Sequence, residues 1–245
     1  LGMNFSLEGN KTLLVDCDAG LSSLDVMLGC AQSCVFSWYD IFSEQCNAPD
    51  ALVQINENLF LLPSPKNAVG DNNENIIKDI LSAMQDDFDI IIIDAPAGLN
   101  EGLGRAAAAA EFSIVVATAD EVSVKAAAAV DKTLRDMGIK QSRLLINRYD
   151  IKAAKKGKLL TVDDIINKTY VQLLGIVPED KNVMNFSFSH LTPDLYMSLA
   201  VLCATGINIP QIYNNFYNSF TEGRARLFGY TINRKMKTLR KEIGR

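Results

Sequence analysis

Asp94 closes the stretch Asp89-Ile90-Ile91-Ile92-Ile93-Asp94-Ala95-Pro96-Ala97-Gly98, an apolar run that stops on a carboxylate and turns into a Pro-Ala-Gly loop. A second run, Lys11 to Val15, stops the same way on Asp16-Cys17-Asp18-Ala19-Gly20. Four isoleucines without polar alternation predict a strand buried on both faces, as in parallel sheets. The carboxyl edge of such a sheet is where ligands sit, and acids gathered there suit a divalent cation and the phosphates it neutralises. One strand-ending aspartate carries little, since every buried strand stops somewhere polar. Two at one edge carry more.

The elements that would position these acids alternate along the chain. Leu24 to Gly29 reads as a short helical turn, Trp38-Tyr39-Asp40-Ile41-Phe42 begins an amphipathic segment, and Asn58 to Pro63 reads as a strand stopped by proline. Ile76, Ile77, Ile80, Leu81 and Met84 recur at helical spacing and lead into the isoleucine strand. The alanine run from Ala106 to Ala110 suits a helix packed closely on a sheet, and Ile114 to Ala117 is the next strand. A helix from about Ser123 to Met137 ends at Gly138, Arg143 to Arg148 is a strand, Thr161 caps a helix to about Tyr170, and Leu173 to Pro178 is a last strand. Lys152 to Lys158 reads as a solvated basic loop, and residues after Met184 turn helical. Repeated strand–helix alternation predicts an α/β fold, a mostly parallel sheet with helices on both faces.

Composition narrows the chemistry. A chain of 245 residues with 48% hydrophobic and 22% charged residues can bury one substantial core, and it holds no apolar run of the roughly 18 residues a spanning helix needs. Cys17, Cys30, Cys34, Cys46 and Cys203 lack paired CxxC spacing, and His190 is the single histidine, which argues against zinc and iron–sulfur sites and fits a reducing cytoplasm.

Residues 13–29 (Leu-Leu-Val-Asp-Cys-Asp-Ala-Gly-Leu-Ser-Ser-Leu-Asp-Val-Met-Leu-Gly), 89–98, 120–123 (Asp-Glu-Val-Ser), 145–148 (Leu-Ile-Asn-Arg) and 174–180 (Leu-Gly-Ile-Val-Pro-Glu-Asp) resemble, in order and spacing, the MinD/ParA family of deviant-Walker P-loop ATPases, its MinD branch above all. The resemblance covers about residues 1 to 184. It implies ATP and magnesium as cofactors, with Asp94 as the Walker B acid holding the magnesium shell through water. It implies that Asp18 orients the attacking water, that Asp16 fixes the strand end and helps the metal site as part of the nucleotide-binding set, that Asn147 reads adenine and that Pro178 lies in the base-stacking loop. Glu121 matches the family's Pro-Glu-Val-Ser element, although Asp120 stands where the family has proline, which alters the stiffness of that loop.

One departure is larger. Family members open on a strand and a glycine-rich loop ending Gly-Lys-Thr, whose backbone N–H groups cradle phosphate, and these 245 residues contain no such pattern. Leu1 to Lys11 resembles the latter part of the helix after that loop. The expectation is therefore a fold lacking the first strand and P-loop, cut inside the first helix, which leaves neighbouring edges of the sheet unpaired. A naturally loop-less relative is the competing reading.

The chain carries a net charge of −5, yet Arg224, Arg226, Arg234, Lys235, Lys237, Arg240, Lys241 and Arg245 face only Glu242 at its end. Phe228, Ile232, Met236, Leu239 and Ile243 recur there on one helical face, the pattern of a helix lying on an anionic membrane. Packing on the sheet and binding to a nucleic-acid backbone are the alternatives for this tail. The chain thus divides into a nucleotide-binding domain over 1–223 and a basic amphipathic tail over 224–245, with 185–222 departing from the MinD pattern. The resemblance implies an ATPase that forms a homodimer on ATP, associates from the cytoplasm with the inner membrane, meets septum inhibitor and topological regulator proteins, and helps position the division septum. A flagellar-number regulator, a ParA-type DNA-partitioning ATPase and a non-hydrolysing partner-binding scaffold are the other readings.

Overall fold

The computed structural model describes residues 1–70, 73–139 and 141–179. The chain opens on a short helix, α1 (Gly2–Leu7), and enters β1 (Thr12–Asp16). Three one-turn helices follow, α2 (Leu24–Met27), α3 (Trp38–Phe42) and α4 (Ala48–Ala51), then a hairpin of β2 (Val53–Asn56) and β3 (Leu59–Leu62). Next come α5 (Ile76–Ser82), β4 (Ile90–Asp94), α6 (Glu101–Ala109), β5 (Phe112–Ala117) and α7 (Glu121–Asp136). The described part closes with β6 (Gln141–Tyr149), α8 (Ile151–Lys155), α9 (Val162–Thr169) and β7 (Leu173–Pro178).

The strands form two sheets, β2-β3-β1-β4 and β5-β6-β7. All pairings are parallel except the β2–β3 hairpin. The period of two along β1 decides what covers it. Leu13 and Val15 point into a core with Trp38, Ile76, Ile77 and Leu62, whereas Leu14 packs on the other face with Leu61 and Val53. Helix α1 lies on that second face, and a Cβ placed on Gly2 would run into the Leu14 side chain. The second sheet buries Val115, Ala117, Leu144 and Ile146 under Val124, Ala127 and Leu134 of α7 and Ile165 of α9.

Helix α6 joins the two cores. Its Leu103 and Ala107 belong to the core of the second sheet, and its Ala106 to that of the first. Small alanines permit that close seat, and Asn100 caps the helix by accepting the Leu103 N–H at 3.1 Å. Among the described residues, neither β4 nor β5 has a second strand neighbour.

Three readings are corrected. The isoleucines 90–93 are half-buried rather than buried on both faces, because β4 ends its sheet. Lys152 and Lys155 lie on α8 rather than in a loop, since the Asp150 carboxylate caps that helix by accepting the Lys152 and Ala153 N–H groups. Strand β2 was not foreseen: Val53-Gln54-Ile55-Asn56 is short and is held by its hairpin partner. The helix expected after Met184 and the tail 224–245 lie outside the described residues.

Gly102 tests the seat of α6. A Cβ there would strike the Pro96 ring and stand 3.1 Å from the Cys17 carbonyl oxygen, both stiff neighbours. Gly102→Ala should cost about 1–3 kcal/mol and lower the melting temperature by several degrees. Gly70→Ala, with open space around the new methyl, should stay within about 0.5 kcal/mol. Equal melting curves for the two variants would contradict this account.

Candidate nucleotide–metal site

Strand register brings the acids together. In the β1–β4 ladder Asp16 stands opposite Asp94 at the carboxyl end, and the Cys17 N–H donates to the Asp94 carbonyl oxygen at 2.9 Å. Asp16 is buried, and its carboxylate accepts the N–H of Asp18 at 2.9 Å and of Leu24 at 3.3 Å. It therefore organises the loop that carries Asp18 rather than facing solvent itself. Asp18 is half-buried, and Ser64 donates its hydroxyl to the Asp18 carbonyl oxygen at 3.3 Å. Gly20, at φ +93, completes the turn by donating its N–H to the Pro65 carbonyl oxygen at 3.0 Å.

The electrostatics are those of crowded like charges. Burial pushes the Asp16 carboxyl up, while the hydrogen bonds from Asp18, Leu24 and Ser64 oppose that rise. Asp94 is also raised, first by desolvation and then by the charges of Asp16 and Asp18. Burial, then the charges of Asp16 and Asp94, push the Cys17 thiol up to about 12, so it stays protonated and inert. Among the described residues no salt bridge involves Asp16, Asp18 or Asp94. No group of three metal-ligating side chains among the described residues could hold an ion directly. The arrangement fits magnesium held through its water shell, since that ion is small and dehydrates reluctantly.

Asn147 and Pro178 come together on the second sheet, at the carboxyl ends of β6 and β7, both half-buried. Asn147 Oδ1 accepts the Arg148 N–H at 3.0 Å, which orients the amide so that its NH2 group can donate outward. Arg148 adopts φ +54 and binds Glu179 through Nε at 2.9 Å, while Glu179 N–H donates to the Tyr149 carbonyl oxygen at 3.1 Å. The strand ends bearing Asn147 and Pro178 are thereby tied to each other.

Two features lay beyond sequence reasoning. Trp38 donates its indole N–H to the Asp16 carbonyl oxygen at 2.9 Å, bracing the strand end; the Ser37–Asp40 capping box that starts its helix was readable, the contact was not. Asp120, in place of the family's proline, caps α7 by accepting the Ser123 N–H at 2.9 Å, and Lys168 ties the adjoining Glu121 to α9 at 2.8 Å. The proposed membrane residues Phe228, Ile232, Arg234, Lys235, Met236, Lys237, Leu239, Arg240, Lys241 and Ile243 lie outside the described residues.

Because the folded-state pKa of Asp94 is raised, its ionisation works against folding above that pKa, and the cost is relieved as pH falls towards and below 3.8. Asp94→Asn should therefore raise the melting temperature at pH 7. The gain should shrink as the buffer is acidified. A variant that melts lower at pH 7, or a gain independent of pH, would contradict it.

Comparison with known proteins places this geometry. An AAA-domain family profile matches residues 1–146. The putative septum site-determining protein MinD of Guillardia theta is 33% identical over 187 residues, 75% of this chain and 70% of the relative. The septum site-determining protein MinD of Bacillus subtilis is 32% identical over 195 residues, 76% of this chain and 72% of the relative. Among solved structures, the MinC:MinD cell division protein complex of Aquifex aeolicus superposes with a TM-score of 0.69 at 26% identity, covering 77% of each chain. With the AAA match, these identities and the parallel-sheet architecture, the chain belongs to the MinD septum-site family within the MinD/ParA P-loop ATPases.

Proposed function

We propose that this chain is a MinD-like ATPase that pairs on ATP and helps place the division septum. The observation that carries the reading is the pairing of Asp16 with Asp94 at one strand edge, with Asp18 anchored to Asp16. Phosphoryl transfer depends on positioning and on neutralising charge, so acids this close suit a hydrated cation bridging phosphate oxygens. In this reading Asp94 holds the magnesium shell, Asp18 orients water, Asp16 holds the Asp18 loop, and Asn147 with Pro178 receives adenine. The septum inhibitor and topological regulator are proposed partners, on the strength of the relatives' names and of the similar MinC:MinD complex.

The basic tail at 224–245 is proposed as a membrane-targeting segment beside the nucleotide-binding domain over 1–223. One short amphipathic helix binds anionic lipid marginally, so pairing two chains would strengthen attachment through avidity. Peripheral attachment of this kind is consistent with the absence, among the described residues, of any helix long and apolar enough to cross a membrane.

Calorimetry tests the nucleotide reading. The 245 residues contain no Gly-Lys-Thr phosphate loop, so on their own they should show no micromolar ATP–magnesium binding. Joined at the amino end to an apolar strand and a glycine-rich Gly-Lys-Thr loop, the chain should bind, and Asp18→Ala in that form should slow hydrolysis about 100-fold while leaving binding intact. Micromolar binding by the 245 residues alone, or unchanged turnover with Asp18→Ala, would contradict the assignment. Sedimentation with vesicles tests the tail: retention on anionic vesicles and not on neutral ones is expected, and no lipid-dependent retention removes the membrane role.

A further inference from the structure

Between α2 and α3 the chain turns back on itself and brings two thiols together. Gly29, at φ +70, closes α2, and the Cys30 N–H donates to the Asp25 carbonyl oxygen at 2.9 Å. The Ser33 N–H then returns to the Cys30 carbonyl oxygen at 2.8 Å, a β-turn that sets Cys34 beside Cys30. The two sulfurs lie 4.0 Å apart, and Cys34 Sγ stands 3.4 Å from the Cys30 carbonyl oxygen. A disulfide is about 2.05 Å long, so the sulfurs would close by roughly 2 Å, within the reach of side-chain rotation.

Burial makes the pair unequal. Cys34 is buried in a core with Val53 and Leu61, while Cys30 is half-buried at its margin and open to a small reagent. Burial raises both thiols, Cys34 to about 12, so reaction is slow at neutral pH and quickens as pH rises. The hydrogen bond between the sulfurs opposes the rise at Cys30 and adds to that at Cys34, so Cys30 ionises first. Cys34 is also held up by the Cys30 charge, a contribution that ends once the Cys30 sulfur is bonded to another sulfur.

We propose that Cys30 and Cys34 are a reversible modification site, closed into a disulfide by a small-molecule disulfide of the glutathione class. The Cys30 thiolate attacks one sulfur of glutathione disulfide, whose S–S bond breaks, and one glutathione leaves with the proton that Cys30 lost. Cys34 then attacks the Cys30 sulfur and expels the second glutathione, which takes the Cys34 proton. Two protein thiols are oxidised to one disulfide, and one glutathione disulfide is reduced to two thiols. The bond would tie the exit of α2, whose Leu24 N–H donates to the Asp16 carboxylate, to the core beneath β2 and β3. The proposal does not require nucleotide chemistry, and it stands or falls separately from the ATPase reading.

Incubation of the reduced 245-residue chain with glutathione disulfide at pH 8, followed by alkylation, proteolysis and mass spectrometry, tests it. A Cys30–Cys34 disulfide, two hydrogens lighter than the thiol pair and reversed by dithiothreitol, is expected. Cys34→Ser should trap glutathione on Cys30, and Cys34 in Cys30→Ser should react at least about 10-fold more slowly than that Cys30. In urea that unfolds the parent chain, half-conversion should need at least about 10-fold more glutathione disulfide at fixed glutathione, because the turn no longer holds the sulfurs together. A lasting glutathione adduct on Cys30 of the parent, or no reaction at either cysteine, would overturn the proposal. So would a disulfide from either cysteine to Cys17, Cys46, Cys203 or a second chain, or an equal oxidant requirement in urea.

Discussion

The parallel pairing of β1 with β4 is the constraint on which the rest depends. Backbone hydrogen bonds set the register, and the register sets Asp16 opposite Asp94 whatever their charges prefer. The ladder thereby holds the two carboxylates at one edge, where burial pushes both up in pKa and the charges of Asp16 and Asp18 add to the rise at Asp94. A fold retains such repulsion where function needs it, and a hydrated cation is the simplest agent that relieves it. Around this ladder the remaining parts are supports: Trp38 braces the Asp16 carbonyl, Ser64 holds the Asp18 carbonyl, and α6 closes against the Pro96 loop.

The second constraint is the division of the sheet. A continuous parallel sheet would cover β4 on both sides and bury its isoleucines, but among the described residues β4 is an edge and the isoleucines are half-buried. The acids and the Asn147–Pro178 edge consequently belong to different sheets, linked in the described residues by α6 and its two cores.

Much of this was legible in the sequence because the signals were local. The aspartate-terminated apolar runs, the helical spacing from Ile76 to Met84, Gly138 at φ +98 as a helix stop and Thr161 with Asp164 as a capping box all match the structure. What escaped depended on tertiary context. Full burial of Ile90–Ile93 was inferred from their own apolarity, whereas burial depends on neighbours in the sheet. Strand β2 owes its existence to pairing with β3. The Trp38–Asp16 contact spans 22 residues and leaves no local trace. Asp120 read as the loss of a proline, yet its carboxylate supplies the helix cap that proline cannot.

The central proposal is that Asp18 and Asp94, with Asp16 holding the Asp18 loop, form the metal-facing half of a nucleotide site. The single tryptophan, bonded to the Asp16 carbonyl, is a reporter inside that half. The most direct measurement is Trp38 fluorescence during ATP titration, with and without magnesium, in the chain carrying a strand and Gly-Lys-Thr loop at its amino end. A saturable change that requires magnesium, and whose magnesium requirement rises at least about 10-fold in Asp94→Asn, is the result predicted. A change indifferent to magnesium, or an Asp94→Asn variant indistinguishable from the parent, would contradict it.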